Sequence, residues 1–243
     1  MRNKLRLIII LVFAFSGLKA QNLFDEQGAL IRSDTSKKVI YLVFSGHDYD
    51  EGFEHVLNVL QEKHVFTSFF LTGDFVRNHL ALTKKISDQG HFVGAHSDKH
   101  LLYNDWDKRD SLLLNPDQIK KDISDNLLEL EKLGITAQFF LPPYEWYNKQ
   151  VVSIAEELGQ ITVNFSPGTR SNADYTSPEM KNYISSEDIL ESIFRYEKQT
   201  GMNGFHLLIH PGTTELRKDK FYLRIEELIS ILEELGYSFQ RFK

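Results

Sequence analysis

The sequence predicts an α/β protein whose fold is most simply a closed or nearly closed barrel of about seven parallel strands. Short runs rich in β-branched and aromatic residues alternate with longer amphipathic stretches. This alternation is typical of a parallel sheet with both faces covered by helices. No interior linker rich in Gly, Pro or Ser interrupts it, and the chain has the length of one α/β barrel domain with a single core.

Each predicted element rests on its local pattern, taken in chain order. Apolar runs of strand length occur at 38–45, 65–73, 91–96, 137–142, 161–166, 205–210 and 237–242. Between them, apolar residues recur with helical spacing at 52–63, 75–89, 117–133, 150–158, 187–200 and 224–235. The pattern therefore predicts one domain over residues 38–243.

The first 20 residues differ in composition from the rest. Arg2, Lys4 and Arg6 precede an apolar run of about a dozen residues, and Ala20 offers a small residue for cleavage. This predicts a signal peptide over 1–20, followed by a polar leader at 21–37. A permanent anchor is the alternative, but the apolar run is shorter than the roughly 20 residues that span a bilayer. We therefore expect a secreted or periplasmic protein with no membrane span in its mature chain.

Charge and cysteine content limit the partners. The whole chain has 28 basic and 34 acidic residues; without 1–20, which contain four basic and no acidic side chains, the formal charge is −10. Such a surface argues against nucleic acid as a partner and favours a monomer. Cysteine is absent, which excludes a disulfide framework and a lipidated cysteine anchor.

Polar residues follow the predicted strands at five separate places, where the loops of a parallel barrel carry its chemistry. The clearest pair is His96 and His100, four residues apart after the third strand. If this segment takes a helical turn, both imidazoles face the same side and can share one metal ion. The alternative is a chance spacing among nine histidines.

Three motifs together resemble the polysaccharide deacetylases, a family that includes chitin, peptidoglycan and acetylxylan deacetylases. They are HSDKH at 96–100, PPY at 142–144 and LLIH at 207–210. The resemblance spans about residues 38–239. It implies a distorted (β/α) barrel, a carbohydrate substrate and one divalent ion, with zinc expected and cobalt or nickel as alternatives. In that family the ion is bound by one Asp and two His.

The sequence departs from the family where its first motif carries two aspartates, a general base and a metal ligand. Counting from Phe44 places Ser45 and Gly46 there, and neither can serve those roles. Leu141 also replaces the arginine that orients the missing base. His47 and Asp48 follow directly, and either can supply the third metal ligand.

The remaining roles follow from the resemblance and from position. Glu145, or else Asp50, would accept the proton of the attacking water. His210 would protonate the leaving group, with Asp174 on its other ring nitrogen. The alternatives are an exposed loop acid for Glu145 and a core histidine for His210.

Two groups are predicted to contact the substrate. The Tyr144 backbone N–H would bind the oxyanion. Trp146, Tyr147 and Trp106 suit stacking on a sugar ring, with ordinary loop packing as their alternative.

These assignments predict a metal-dependent hydrolase that removes N- or O-acetyl groups from carbohydrate. Loss of both aspartates leaves a second hypothesis, an inactive metal- and carbohydrate-binding module of the same fold. A third is an amidase acting on a non-carbohydrate C–N bond, since fold does not fix substrate.

Overall fold

The computed structural model describes residues 21–243, so the predicted signal peptide at 1–20 lies outside the described residues. The strands are β1 Leu23–Phe24, β2 Leu30–Arg32, β3 Val39–Gly46, β4 Ser68–Leu71, β5 Phe92–Ala95, β6 Phe139–Phe140, β7 Ile161–Thr162, β8 Phe205–Ile209 and β9 Ser238–Phe239. The helices are α1 Phe53–Glu62, α2 Gly73–Asn78, α3 Leu80–Asp88, α4 Pro116–Glu131, α5 Lys149–Glu157, α6 Ser186–Thr200 and α7 Ile225–Glu234. Every predicted strand and helix is present in the described chain, most with shorter bounds.

The strands form one sheet in the order β1-β2-β8-β3-β4-β5-β6-β7, and β9 pairs with the start of β3. The strands from β3 to β8 pair with one another in parallel, whereas β2 pairs antiparallel with both β8 and β1. A bridge between Leu30 of β2 and Val163 just after β7 joins the two sides of the sheet. The sheet thus curls into the distorted (β/α) barrel that the sequence predicts.

Residues 21–37, expected only as a leader, add β1 and β2 to the sheet. Arg32 pairs with Phe205 of β8, and its guanidinium donates to the carbonyl oxygens of Asn203 and Gly201 at 2.6 and 2.9 Å. These strands occupy the gap between β8 and β7 and cover both edges. Each is two or three residues long, too short for its alternation to be recognised in the sequence.

Phe242 closes the end of the barrel at which the parallel strands begin. Its ring stacks on Tyr41 at 5.3 Å and on Phe139 at 4.9 Å, measured between ring centres. Its backbone N–H donates to the Ser68 hydroxyl at 2.9 Å. Aromatic side chains thus close the interior of the barrel at this end, and the pocket described below lies at the opposite end, where the strands finish.

The helix predicted over 75–89 is two helices, α2 and α3, separated at His79 (φ −129°, ψ 48°). The Thr72 hydroxyl caps α2 by accepting from the Phe75 N–H. The first amides of α2, those of Gly73 and Asp74, donate to the carbonyl oxygens of Ser97 and Asp98. The N-terminus of α2 therefore contacts the loop after β5, which carries His96 and His100.

None of the helices in the described part of the chain has the length and hydropathy of a transmembrane segment.

Candidate active site

A pocket of about 480 Å³ opens at the C-terminal ends of the parallel strands. Its volume lies within the range of about 300–1,000 Å³ that is usual for small-molecule sites. It is lined by Ser45, His47, Asp48, Tyr49, His96, His100, Trp106, Tyr144, Glu145, Tyr175, Met180, Asn182, His210 and Gly212. Most of the predicted site residues therefore line a single pocket; those outside its lining are Asp50, Trp146, Tyr147 and Asp174.

His96 and His100 approach each other without a helical turn. The segment between them is a loop in which Ser97 (φ 67°) and His100 (φ 52°) adopt left-handed backbone conformations. The ring centres lie 4.9 Å apart, edge to face. The two histidines are therefore close together as predicted, but two left-handed residues bring them together instead of a helical turn. Non-glycine residues with positive φ concentrate at functional sites.

Two hydrogen bonds fix His96, which is almost fully buried. Its backbone N–H donates to Asn126 Oδ1 of α4 at 2.8 Å, and its ring Nδ1 lies 2.7 Å from the carbonyl oxygen of Leu141. Because a carbonyl only accepts, Nδ1 carries the proton and Nε2 keeps a free lone pair. A carbonyl-held imidazole with this tautomer is the usual state of a histidine that ligates metal through Nε2.

His47 is the third imidazole of the cluster. Its ring stacks on His100 with centres 4.3 Å apart and planes 16° apart. Its Nε2 lies 3.2 Å from Asp48 Oδ1, and its buried Nδ1 has no hydrogen-bond partner among the described residues. A buried unsatisfied nitrogen costs free energy unless something outside the chain fills its valence.

The residues before His47 point in different directions. Ser45 lines the pocket, whereas a Cβ atom on Gly46 would lie 2.8 Å from Leu71 Cδ2 and 2.9 Å from Phe53 Cζ. Residue 46 therefore faces the packed layer between the sheet and the helices. Its side-chain position cannot serve the pocket, and beyond Ser45 the first residue that does is His47.

The pKa values of the buried pair are strongly lowered. Burial, followed by repulsion from the neighbouring imidazoles, lowers the pKa of His100 to about 2. Burial also lowers the pKa of His96 to about 3. Both rings are thus neutral at physiological pH, the state in which an imidazole donates a lone pair to a metal.

These side chains fit a divalent ion in donor type, although their present arrangement is not a finished coordination shell. Three imidazoles with a carboxylate beside them are the usual donors for zinc and related metals. Among residues 21–243, however, no three His, Asp, Glu or Cys side chains already converge as a ligand group. The His47 and His100 rings lie face to face, so one of them must rotate before both can present a nitrogen to one point.

Glu145 borders the pocket from the turn at Pro143–Glu145. Tyr144 (φ 59°) and Glu145 (φ 53°) are both left-handed there. Burial raises the pKa of Glu145 to about 7, opposed by the charge of His210 and assisted by that of Asp174. A carboxyl with this pKa can exchange a proton at neutral pH.

His210 lies at the end of β8 and contacts Asp174, as predicted. Ring Nδ1 is 2.6 Å from Asp174 Oδ1, and the backbone N–H donates to Oδ2 at 2.8 Å. Burial alone would lower the pKa of His210, but the charge and hydrogen bond of Asp174 raise it above its ordinary value. The core-histidine alternative does not hold, because His210 lines the pocket.

Three predicted roles need correction. Tyr147 is fully buried and its hydroxyl donates to Asp25 Oδ2 at 2.6 Å, so its ring packs inside the protein and is not open to a sugar. Trp146 does not line the pocket: its Nε1 donates to the Asp105 carbonyl and its ring lies against Trp106 and Arg109. Trp106 lines it instead, with 55% of its surface exposed. Asp50, the second candidate base, lies 3.0 Å from His79 Nδ1 and is outside the lining.

The loop of residues 174–186, which carries Asp174, is supported by a fully buried arginine that the sequence did not single out. Arg217 donates to the carbonyl oxygens of Thr176 and Ile184 at 2.6 and 3.1 Å and to the Ser186 hydroxyl at 3.2 Å. No sequence motif indicates this role, because its partners, two carbonyl oxygens and one hydroxyl, lie more than 30 residues away in the chain.

The loops after β3 and β8 pack backbone to backbone. A Cβ on Gly212 would lie 1.8 Å from the Tyr49 carbonyl oxygen, and one on Gly52 would lie 2.3 Å from that of Pro211. Glu51 then accepts from the Thr213 N–H and from Lys220 Nζ, at 2.9 and 2.8 Å. These contacts fix the loop with His47 and Asp48 beside the loop with His210.

Comparison with known proteins identifies the same family that the three sequence motifs resemble. The sequence model of the polysaccharide deacetylase family matches residues 32–163. An uncharacterised 30.6 kDa protein from Geobacillus stearothermophilus is 28% identical over 93% of this chain and 77% of its own length. The peptidoglycan-N-acetylmuramic acid deacetylase PdaA of Bacillus subtilis is 31% identical over 62% of this chain and 55% of its own length.

Solved structures share the fold. A family 4 carbohydrate esterase described as a pseudoenzyme, from Bacillus anthracis, aligns with a TM-score of 0.73 at 22% identity. That alignment covers 89% of this chain and 68% of the other. The structure of PdaA from B. subtilis aligns with a TM-score of 0.67 at 25% identity over 88% and 82% of the two chains.

Proposed function

This chain belongs to the polysaccharide deacetylase family, and from that premise we propose that it is a metal-dependent hydrolase that removes acetyl groups from carbohydrate. One observation carries the proposal: His210, which is held by Asp174, lines one pocket together with the carboxyl of Glu145 and a cluster of three imidazoles. An acid, a base and a set of metal donors are what acyl transfer to water requires.

The residues that would hold the ion are His96, His100 and His47. The unpartnered Nδ1 of His47 supports it over Asp48 as the third donor, since Asp48 is exposed and already lies against His47. When bound, a divalent ion supplies Lewis-acid polarisation of the acyl oxygen and lowers the pKa of water.

The chain's own groups move the protons. Glu145 accepts a proton from the attacking water, and its pKa of about 7 matches that task at neutral pH. His210, with Nδ1 held by Asp174, has Nε2 available to protonate the departing amine or alcohol. The backbone N–H of Tyr144 is proposed to donate to the oxyanion from the turn that also carries Glu145.

Acetate release from acetylated oligosaccharides, with and without added zinc, cobalt or nickel, tests the proposal. We expect metal-dependent release that Glu145→Gln lowers by about 10²–10⁴-fold. Glu156→Gln, the same change at an exposed position of α5, should leave the rate unaltered. If Glu145→Gln keeps full activity with intact metal content, another group is the base.

The second candidate is a binding module without turnover, and Ser45 and Leu141 are the observations that favour it. Leu141 is a fully buried apolar side chain and cannot orient a base as an arginine would, and Ser45 lacks a carboxylate. Pseudoenzymes with this fold exist among the similar structures. If the metal-loaded protein binds acetylated oligosaccharides but releases no acetate from any of them, this reading is correct and the hydrolase proposal fails.

A further inference from the structure

We propose that Trp106 forms a second sugar subsite beside the reaction pocket, on which a neighbouring unit of an oligosaccharide stacks. The inference rests on the proposed function for its ligand class, a glycan. It assigns a role to a segment, residues 101–114, that contains no motif of the family resemblance.

Trp106 belongs to a stack of three flat groups. Its ring centre lies 5.6 Å from that of Trp146, with the ring planes 30° apart. The guanidinium carbon of Arg109 lies 4.3 Å from the centre of the Trp146 ring. Cation–π and aromatic contacts of this kind hold both indoles in place.

The support beneath Trp106 is anchored by hydrogen bonds to the backbone. Trp146 Nε1 donates to the Asp105 carbonyl at 3.1 Å, and Arg109 Nε donates to the Tyr147 carbonyl at 2.6 Å. The side chain of Asn104 in turn donates to the Arg109 carbonyl at 2.8 Å. A platform fixed in this way loses little entropy when a ligand binds.

The platform continues directly from the reaction pocket. Trp106 contacts the Tyr144 ring edge to face at 5.8 Å, and Tyr144 contacts His100 at 4.5 Å. Both aromatic side chains line the pocket, yet Trp106 is 55% exposed and Tyr144 45% exposed. Two contacts therefore lead from the imidazole cluster to an aromatic surface open to solvent.

A large exposed indole that is rigidly supported at a pocket rim suits the apolar C–H face of a pyranose ring. A sugar undergoing reaction must approach the imidazole cluster, so the unit over Trp106 is its neighbour in the chain. The subsite therefore favours oligosaccharides over monosaccharides.

Binding measurements test the subsite without requiring turnover. We expect Trp106→Ala to raise the Kd for tetra-N-acetylchitotetraose about tenfold, or about 1.4 kcal/mol, and to leave that for N-acetylglucosamine within about twofold. Trp106→Phe keeps a flat ring, so its Kd for the tetramer should rise by less than about threefold. Leu113→Ala, which removes a half-exposed apolar side chain from the same segment, is the matched control and should change nothing.

Fluorescence gives an independent readout, because Trp106 and Trp146 are the only tryptophans in the chain. The tetramer should shift the wild-type emission to shorter wavelength as Trp106 loses water, and the shift should vanish in Trp106→Phe. The melting temperatures of the Trp106 variants should stay within about 2 °C of that of the wild type, since the Trp106 side chain is largely exposed.

Three results would overturn the subsite: a wild type that does not bind the tetramer, a Trp106→Ala variant that binds it as tightly as wild type, or equal losses for monomer and tetramer. Failure of the proposed function looks different. In that case acetate release is absent, while the length-dependent binding and its loss in Trp106→Ala remain.

Discussion

Asp174 accepts two hydrogen bonds from His210, one from ring Nδ1 at 2.6 Å and one from the backbone N–H at 2.8 Å. The contact sets both the tautomer and the charge of the imidazole. With Nδ1 occupied, only Nε2 remains to exchange a proton with a substrate. The same carboxylate raises the pKa of the neighbouring Glu145, so one buried acid adjusts both proposed proton-transfer groups.

Replacing Asp174 by Asn should shift the pH profile of activity to lower pH. Burial then acts on His210 without a compensating charge, so its pKa falls below the ordinary value and the alkaline limb moves down. The pKa of Glu145 also loses a raising contribution, which moves the acid limb in the same direction. The measurements are kcat/KM for acetate release against pH and an NMR titration of the His210 ring. An unchanged His210 titration would contradict this account.

The sequence predicted the strands, the common end of the barrel at which the polar loops meet, and the approach of His96 to His100. It could not show how the His96–His100 loop achieves that approach, because the left-handed conformations of Ser97 and His100 have no sequence signal when the residue is not Gly or Asn. Nor could it show that residue 46 faces the packed layer, since side-chain direction at a strand end depends on where the strand stops.

The direction of residue 46 gives a second prediction, comparing Ser45→Asp with Gly46→Asp. An aspartate at 46 would be forced between Leu71 and Phe53, so we expect a loss of about 1–3 kcal/mol or more in unfolding free energy, added to the cost of a buried carboxylate. Ser45 already lines the pocket, and Ser45→Asp should fold normally. Urea unfolding of both variants measures the difference. Equal stability would mean that residue 46 faces the pocket after all.

Arg217 is expected to be essential for the loop that carries Asp174. Arg217→Met leaves the acceptors at Thr176, Ile184 and Ser186 without donors, and we expect a loss of about 3–5 kcal/mol in unfolding free energy. Arg217→Lys keeps one cationic donor group, so its loss of unfolding free energy should be smaller than that of Arg217→Met. Hydrogen exchange should quicken across 174–186 in both variants. A fully stable Arg217→Met protein would show that the loop is held elsewhere.

His206 makes the fold sensitive to acid, independently of the pocket. It is fully buried, its Nδ1 donates to the Asn164 carbonyl at 2.9 Å, and its Nε2 accepts from the Ser33 hydroxyl at 2.8 Å. Burial lowers its pKa to about 4 from 6.5. Between these two values the unfolded chain binds a proton that the folded chain does not, so stability falls as pH decreases through this window.

The His206→Gln variant should show a shallower loss of stability in acid. Between pH 7 and 4.5, protonation of this one residue in the unfolded chain lowers the unfolding free energy of the wild type by about 2–3 kcal/mol. The variant lacks this contribution, so its total loss of unfolding free energy over the same range should be smaller by about 2–3 kcal/mol. Urea unfolding at the two pH values measures the change, and each protein serves as its own reference at pH 7. Identical pH dependence in the two proteins would mean that His206 is protonated in the folded state.

The charges of the pocket predict which acetylated glycans bind. Among the described residues that line it, the only carboxylates are Asp48 and Glu145, and there is no Lys or Arg. Two nearby cations are already engaged: Lys220 with Glu51, and Arg217 with the carbonyls of its loop. In the metal-free protein, a sugar that carries a carboxylate would therefore meet charge of its own sign with no Lys or Arg side chain to offset it.

We expect the metal-free protein to bind a carboxylated N-acetylated oligosaccharide at least about tenfold more weakly than a neutral one of equal length at low ionic strength. The gap should narrow at about 1 M salt, where the Debye length falls to roughly 3 Å. Amidation of the carboxylate provides the matched control, because it removes the charge and keeps the size. Calorimetric titration of the three glycans measures the effect. Equal or tighter binding of the carboxylated chain by the metal-free protein would mean that a positively charged side chain outside the described lining reaches the pocket.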